Sequence, residues 1–553
     1  MAGIANGGTM VDHVLTNARV HAPEVGSGPG PTAVAIRRDR IVAVGSDDDI
    51  RGVARPGTRV EDLRGATVIP GLIDAHNHLL ATGQVLGQVS LYGCRDIAAI
   101  LARVAEAVGR AAPGEWVLGR GWDESLLADG RHPTRHDLDR VAPDHPVVLH
   151  RVWNKLVANS AALRLAGITA ATPDPPRDVP YAGWMERDAA GEPTGLFHDR
   201  AKAMVTGAIP APTTAEMVAA IGRACRAYHA VGLTTVVDPG LTPDEVRAYD
   251  RAARESTLTI RADLLLAAWG FVPAEDEAGL RDRIGAVGFG TGFGDARLRL
   301  GGAKLMPDGG IGDRTAKLHP DEHYRDEPDN HGTWVIPPET IPEIVRWLHD
   351  HDLAIDSHTC GGLAQETIVR AYAAVMRDAP KPHLRHRVHH AYFPTLDTLG
   401  LMAEHGIAAL VSAPFIRNLG ESFVASLGED RAGAVMPARA YLDAGITLAG
   451  TSDSPVDDFN PFVGCQALTT RQTITGRQFD PGQALTTAEA LDAYTTGAAR
   501  AIGREDDLGR IAPDYLADLV VLEPGSLDRE PDELGSIAPL ATMVGGEWVF
   551  DRR

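Results

Sequence analysis

Apolar segments of strand length alternate along most of the chain with segments of helical periodicity, and this alternation restricts the fold more than any other feature. Strands separated by helices form parallel sheets, and eight of them close into a barrel. The sequence therefore predicts an α/β fold, a (β/α)8 TIM-like barrel. The eight predicted strands are Ala66–His76, Leu233–Asp238, Ile260–Leu266, Leu298–Lys304, Leu353–His358, Arg387–His390, Ala408–Ser412 and Ile446–Asp453.

Signals for the start of a helix occur between these strands. The S/T-x-x-E pattern of a capping box, in which two side chains satisfy free amide groups of the first turn, occurs at Thr213–Glu216, Thr242–Glu245 and Thr486–Glu489. We expect a helix to begin at each of these positions.

The two ends of the chain and one long interior segment do not follow the barrel pattern. Residues 1–66 and 506–553 contain short alternating strands separated by turns, and we predict that they pair into one small β-sandwich. Residues 67–505 hold the barrel. The first two predicted strands are too far apart for a single crossover, so residues from about 85 to 210 form an α/β insertion. The insertion leaves from the carboxyl end of a barrel strand, the catalytic face, and is a candidate lid or substrate wall.

Charge and composition restrict the partners. The net charge of −21 disfavours nucleic acid and anionic membranes, because both need clustered Lys and Arg. We find neither a signal peptide nor an apolar run of membrane-spanning length, so we expect a cytoplasmic protein that acts on a small molecule. Neither disulfides nor a thiolate zinc site is suggested by the widely spaced Cys94, Cys225, Cys360 and Cys465. A metal would have to be held by His, carboxylate or a less usual ligand.

His76 and His78 flank Asn77 at the end of the first predicted strand. Because side chains alternate along a strand, both rings point to the same side, here the barrel mouth. The spacing alone is weak evidence, since a chain with 21 His in 553 residues contains about one such pair by chance. A second pair, His349 and His351, precedes the fifth strand at the wrong end of the barrel for catalysis, and we interpret it as solvated surface.

Other residues of ligand type end other predicted strands. The fourth, fifth, sixth and eighth strands end at Lys304, His358, His390 and Asp453. Taken singly, each has a structural explanation, such as a hydrogen-bonded core His, a salt-bridged Lys or an N-cap Asp. Together with the first His pair they occupy the carboxyl ends of strands, where barrel enzymes place their catalytic residues. The arrangement therefore predicts a catalytic site at the barrel mouth.

A set of motifs spans nearly the whole chain: Val68–His78, Lys304 with Asp308–Ala316, Arg385–Ala391, Gly450–Val456, Leu508–Leu522, and Asn159–Leu163 with Gly191–Leu196 in the insertion. In these motifs the sequence resembles the YtcJ-like branch of the amidohydrolases (amidohydrolase family 3), which includes N-substituted formamide deformylases. The resemblance implies a metal-dependent hydrolase that cleaves the carbon–nitrogen bond of an N-substituted formamide or N-acyl amine.

The resemblance also implies the metal site. Lys304 would be carboxylated by CO2 to bridge two ions, because an unmodified Lys is a cation at neutral pH and repels metal. Imidazole and carboxylate ligands suit Zn2+, and also manganese, iron or cobalt, with one or two ions bound. The implied ligands are His76, His78, Lys304, His358, His390 and Asp453.

The implied mechanism is attack by a metal-bound hydroxide. A metal ion lowers the pKa of a bound water from 15.7 to about 7 and polarises the scissile carbonyl. Asp453 would take the proton during the attack and return it to the leaving amine. The same hydroxide would also serve hydrolytic deamination or the opening of a cyclic amide.

Two readings belong to other classes of protein. A non-catalytic assembly protein on this scaffold would usually have lost ligands, and this chain retains all of those implied. A nuclease, suggested by the string His-Asn-His at 76–78, disagrees with the acidic charge. A homodimer is the commonest assembly and is our expectation.

Three positions depart from the usual motif. His389 stands where Glu is common, Asn154 where His is common, and Thr359–Gly362 replaces Ala-Ile-Gly-Asp. In an ideal strand the His389 side chain alternates away from that of His390. We expect these departures to affect the choice of substrate more than hydrolysis. The candidate substrate-binding residues are Trp122, Asp123, Asn154, Asp308 and His389.

Overall fold

The structure of the protein is a computed structural model, and it describes residues 11–21, 30–151, 155–175, 183–271 and 277–553. The chain forms two compact units. We call them the barrel unit, which contains Met1–Leu80 and Ala224–Arg553, and the insertion unit, which contains Ala81–Arg223.

Eight parallel strands form the barrel, which confirms the prediction from the alternation of strands and helices. Each strand pairs with the next one in chain order. Between the eighth strand and the first, the Ala75 N–H donates to the Gly450 carbonyl at 3.3 Å, so the ring is nearly closed. The barrel strands are Leu72–Asp74, Leu233–Leu241, Arg261–Ala267, Leu298–Leu305, Ile355–His358, Arg387–His389, Ala408–Val411 and Leu448–Gly450.

The first barrel strand is shorter than predicted. Residues predicted as its beginning lie in the strand Arg59–Pro70, which pairs with strands from the chain ends. Only Leu72–Asp74 joins the barrel. Pro70 has no N–H to donate to a ladder, and a Cβ on Gly71 would lie 2.3 Å from the Thr234 hydroxyl oxygen. The chain therefore passes from one sheet to the other at this Pro-Gly pair.

Helices begin at the three predicted caps. The Thr242 hydroxyl accepts from the Glu245 N–H while the Glu245 carboxylate accepts from the Thr242 N–H, and Thr486 and Thr213 make the same pair of bonds. In chain order the α-helices are Asp47–Arg51, Leu79–Leu86, Ile97–Val108, Arg135–Asp139, Ser160–Leu165, Ala203–Thr206, Thr214–Ala230, Pro243–Arg254, Glu277–Val287, Ile341–Asp350, Gly362–Asp378, Leu396–His405, Pro414–Asn418, Gly420–Leu427, Glu429–Gly433, Ala438–Asp443, Pro461–Thr470, Thr487–Ala493 and Thr496–Ala501. Short 3-10 helices lie at Glu124–Leu126, Asp199–Lys202, Pro481–Gln483, Ser526–Asp528 and Pro531–Ser536.

Strands from both ends of the chain pair with one another in one continuous seven-stranded sheet, which we call the end sheet. Arg59–Pro70 lies at its centre, parallel to His13–Val20 on one side and antiparallel to Leu519–Leu522 on the other. A buried apolar cluster with members from both ends packs on it. From edge to edge the strands are Glu547–Asp551, Ala541–Val544, Leu519–Leu522, Arg59–Pro70, His13–Val20, Ala33–Arg37 and Arg40–Gly45.

The insertion unit has its own six-stranded mixed sheet and two buried apolar clusters. From edge to edge its strands are Met185–Arg187, Pro193–His198, Lys155–Ala158, Val147–His150, Val117–Arg120 and Val89–Ser90. Among the helices of the described residues, none combines the length and the apolar character needed to cross a membrane.

A buried ion pair joins the end sheet to the barrel. Asp518, just before an end-sheet strand, accepts two hydrogen bonds from the Arg261 guanidinium at 2.7 and 2.8 Å. Both side chains are less than 5% exposed, at 3% and 4%. A third bond, from the Gly545 N–H at 2.8 Å, fixes the carboxylate further.

We expect Asp518→Ala to lower the free energy of unfolding by about 3–5 kcal/mol, because it leaves the Arg261 cation buried without its carboxylate partner. The measurement is the midpoint of urea unfolding. The control is Asp528→Ala, which breaks the exposed pair of Asp528 and Arg19 and should cost no more than about 1 kcal/mol. Equal midpoints for the two variants would contradict the structural role of the buried pair.

Candidate metal centre

The strand-end residues predicted from the sequence meet at the carboxyl ends of the barrel strands. His76 and His78 follow the first strand, and Asp453 follows the eighth. Ligand atoms of His, Asp and Cys side chains come within 4.8 Å of one another in overlapping groups. The groups are His76 with His78 and Asp453, His358 with Cys360 and His390, His76 with Asp356 and His389, and His389 with His390 and Asp453.

Asp453 contacts both histidines of the first motif. Its Oδ1 lies 3.2 Å from His78 Nε2 and 3.6 Å from His76 Nε2. The backbone fixes this contact, because the Asp453 N–H donates to the His76 carbonyl at 3.0 Å. Burial by itself raises the pKa of Asp453, but the hydrogen bond and the charge of His78 outweigh it and hold the pKa well below its usual value. The carboxylate is therefore negative at neutral pH and can hold a cation.

Asp74 ties together the loops that carry these three residues. Its carboxylate accepts from the Ser452 hydroxyl at 2.6 Å, the Asn77 amide at 2.9 Å and the His76 N–H at 3.3 Å. Burial raises the pKa of Asp74 to about 6 in spite of these bonds. Asp74 lies inside an apolar run of the sequence, and nothing in that pattern marked it as a residue of the site.

His358 and His390 form a second pair of imidazoles. His358 Nδ1 lies 3.1 Å from His390 Nε2, and the two rings meet edge to face. His358 Nε2 donates to the Gly309 carbonyl at 3.0 Å. Cys360, which is only 4% exposed, completes this group.

Lys304 is paired with a carboxylate that the sequence analysis missed. Its Nζ donates to Asp356 Oδ1 at 2.7 Å, and Asp356 Oδ2 lies 3.2 Å from His76 Nδ1 and 3.6 Å from Arg387 Nε. Lys304, Asp356 and Arg387 are cross-strand partners, so they share the interior face. Asp356 lies two residues before His358 and therefore on the same face, a signal in the sequence that could have identified it.

The predicted alternation of His389 and His390 is wrong. The strand ends at His389, and His390 and Ala391 take positive φ angles of 69° and 48°, which turns the second ring inward as well. The two rings stack with centroids 3.8 Å apart, and both lie 3.1 Å from the Ser412 hydroxyl. His389 also stacks on His76 at 3.5 Å and lies 3.4 Å from Lys304 Nζ. It therefore belongs to the cluster itself.

Burial keeps most of these imidazoles neutral. Burial and the Lys304 charge lower the pKa of His76 and His358 to about 4. Burial and the neighbouring His residues lower the pKa values of His389 and His390 well below the ordinary value. For His78 burial also acts to lower the pKa, but the hydrogen bond and charge of Asp453 outweigh it and raise the pKa. Neutral imidazole is the form that binds a metal ion.

The other predicted substrate-binding residues that the structure describes make contacts with neighbouring protein groups. Asp308 is fully buried and accepts from the backbone N–H groups of Lys317, Cys360 and Gly361. Within the insertion unit Trp122 belongs to a buried cluster, and Asp123 lies 3.3 Å from Arg151. Asn154 lies outside the described residues. Contact of these residues with substrate stays a prediction.

The interpretation of the second His pair as solvated surface is wrong for His349. This side chain is fully buried, with one ring nitrogen 3.0 Å from His386 Nε2 and the other 2.8 Å from the Ala379 carbonyl. It is a hydrogen-bonded core His on the helix Ile341–Asp350.

The donor set fits a divalent cation. Neutral imidazoles, one ionised carboxylate and a thiol face one another over distances that a single ion or two adjacent ions can span. Behind them Asp356 and the Gly309 carbonyl accept from the opposite ring nitrogens of His76 and His358. Such outer partners fix the ring orientation and tautomer of metal-binding His.

Comparison with known proteins identifies the family. The chain matches the model of the Amidohydrolase family over residues 59–550. It is 29% identical to the YtcJ protein of Bacillus subtilis (strain 168), named as an amidohydrolase, over 90% of this chain and 91% of that one. It is also 29% identical to the N-substituted formamide deformylase of Arthrobacter pascens, over 98% of this chain and 99% of that one.

A solved structure shares the fold. It is the crystal structure of an uncharacterized metal-dependent hydrolase from Pyrococcus furiosus, with a TM-score of 0.75 and 26% identity. The match covers 94% of this chain and 99% of that one.

We expect Asp356→Asn to weaken metal binding about 10-fold to 100-fold, because it removes the charged acceptor of His76 and the partner of Lys304. The measurement is zinc affinity by competition with a chelator. The control is Asp263→Asn, which breaks another buried pair of the barrel, with Arg299 at 2.9 Å, outside the cluster. If both variants bind zinc as the wild type does, Asp356 does not position the site.

Proposed function

Since the chain belongs to the amidohydrolase family and is a hydrolase of carbon–nitrogen bonds, we propose that it removes the acyl group from an N-substituted formamide or a related N-acyl amine. The observation that carries the proposal is the convergence of imidazole and carboxylate ligands at the barrel mouth. The similarity to a formamide deformylase over nearly the full length of both chains supports the substrate class. The products would be a primary amine and formate or another carboxylate.

The ligand chemistry supports zinc as the metal. Zinc takes neutral imidazole and carboxylate ligands readily, and when bound it lowers the pKa of a water ligand from 15.7 to about 7 and polarises a carbonyl oxygen. The ligands fall into two neighbouring groups, which suits one ion or two. The residues that would hold the metal are His76, His78, His358, His390 and Asp453.

Carboxylation of Lys304 stays a prediction. As an ammonium, Lys304 balances the charge of Asp356 at 2.7 Å. As a carbamate, it would bring a second negative group next to that carboxylate and within reach of His76, 3.4 Å from its Nζ. The two forms differ in mass by one CO2, and native mass spectrometry in the presence and absence of bicarbonate distinguishes them.

Asp453 is suited to carry the proton during hydrolysis. Its carboxylate is ionised, nearly buried and in contact with His76 and His78, so it can accept a proton from the attacking water. It would then release the proton to the leaving nitrogen, so that the product departs as a neutral amine. The low exposure of Asp453, 7%, keeps bulk water from competing for that proton.

The remaining predictions concern the cellular location, the type of substrate and the oligomeric state. We place the enzyme in the cytoplasm, acting on a small molecule, and as a homodimer. All three remain expectations from the sequence, and the homodimer is expected because it is the commonest assembly of such proteins.

We expect Asp453→Asn to lower kcat about 10²-fold to 10⁴-fold while most of the metal stays bound, because the amide keeps the shape but cannot carry a proton. The measurements are kcat and metal content of the purified variant. The control is Asp458→Asn, an exposed residue of the same loop, which should leave both unchanged. Parallel loss of metal and activity in the Asp453 variant would assign it to metal binding alone.

We expect zinc-loaded enzyme to release amine and formate in equal amounts from an N-substituted formamide. Removal of the metal with a chelator should stop the reaction, and zinc should restore it. At a pH below about 7 the rate should fall, because a water ligand of the metal is then protonated.

A screen with N-acyl amines and cyclic amides, with ammonia, amine and carboxylate measured separately, tests the substrate class. Ammonia as the only nitrogen-containing product would favour a deaminase. Opening of the ring of a cyclic amide would favour a cyclic-amide hydrolase.

A further inference from the structure

Cys360 lies in the loop that follows the fifth barrel strand, next to the imidazoles of His358 and His390. The ligand atoms of these three side chains lie within 4.8 Å of one another. All four cysteines of the chain are free and buried, so exposure does not distinguish Cys360 from the others. Its distinction is its position beside two ring nitrogens that face each other.

The hydrogen bonds of the two imidazoles allow each ring to offer a lone pair to a metal ion. The Gly309 carbonyl can only accept, so His358 carries its proton on Nε2, 3.0 Å away, and has its lone pair on Nδ1. His390 can donate from Nδ1 to the Ser412 hydroxyl at 3.1 Å, which leaves the lone pair on Nε2. These two nitrogens lie at hydrogen-bond distance from each other, 3.1 Å apart. Two nitrogen ligands of one tetrahedral zinc are separated by about 3.3 Å.

The loop that carries the thiol is held in place by a buried carboxylate. Asp308 accepts from the Cys360 N–H at 3.2 Å and from the Gly361 N–H at 2.8 Å. It also accepts from the Lys317 N–H at 2.9 Å. A Cβ on Gly361 would lie 1.9 Å from the Lys317 carbonyl oxygen, so the loop packs directly on backbone. The backbone that carries the thiol is therefore fixed before any ion binds.

We propose that the Cys360 thiolate, together with His358 and His390, is a ligand of a divalent metal ion at the barrel mouth. The inference rests on the proposed function, which supplies the ion, and adds to it a sulfur ligand. As the sulfur–metal bond forms, the thiol proton passes to solvent. A thiolate favours zinc or cobalt over magnesium and manganese, so it also narrows the choice of metal.

The test uses the full-length wild type, Cys360→Ser and the matched control Cys225→Ser. Cys225 is also buried, but it packs beside Thr259 and Ile260, which precede the third barrel strand at the opposite end of the barrel. Each protein is stripped of metal and loaded with cobalt. We expect a sulfur-to-cobalt charge-transfer band in the near ultraviolet for the wild type and for Cys225→Ser, and no such band for Cys360→Ser. The dissociation constant for zinc should rise about tenfold or more in Cys360→Ser alone.

A second measurement needs no variant and so does not depend on the folding of one. X-ray absorption of the zinc-loaded wild type should show a sulfur neighbour at about 2.3 Å in addition to nitrogen or oxygen at about 2.0–2.1 Å. Cobalt or zinc bound without sulfur would overturn the Cys360 ligand and leave the proposed hydrolase intact. Failure of the wild type to bind either metal would overturn both.

Discussion

At the centre of the barrel mouth the carboxylate of Asp356 accepts a hydrogen bond from Lys304 and lies against His76 and Arg387. The two buried cations, on the strands that flank that of Asp356, would be costly without it. The three charged residues are paired across the fourth, fifth and sixth strands, so their contact depends on the register of the barrel. A slip of one residue would turn each to the other face. His358 and His389, two residues further along, depend on the same register.

Buried carboxylates hold the loops on either side of this centre as well. Asp74 binds the loops that carry the first His pair and Asp453, while Asp308 binds the loop that carries Cys360. Burial raises the pKa of Asp74 to about 6 and that of Asp308 to about 7, so these groups are poor candidates for holding a cation and good ones for accepting backbone hydrogen bonds. Asp453, whose pKa is held low, differs from them in this respect. The acidic residues of the mouth thus divide into loop supports and a metal-facing group.

Much of this arrangement follows from periodicity. The barrel was predictable because strands alternate with helices, and Lys304, His358 and Asp453 because each ends a predicted strand. The joint placement of His389 and His390 in the cluster was not, since strand alternation turns only one of two neighbouring residues inward and the positive φ of His390 leaves no mark in the pattern. Asp356 was missed because it lies inside the strand and not at its end, although its spacing of two residues from His358 places both side chains on one face. The passage from end sheet to barrel at Pro70 was visible as a Pro-Gly pair but outweighed by the apolar residues around it.

The central strand of the end sheet, Arg59–Pro70, leads directly into the first barrel strand and has as one neighbour Leu519–Leu522, from the far end of the chain. During synthesis on the ribosome that edge stays unpaired until Leu519–Leu522 has also emerged. Contacts between such distant segments form slowly, and an open apolar edge invites association with other chains in the meantime. The central strand of the end sheet therefore completes its pairing only after the whole barrel segment between the two partners has been made.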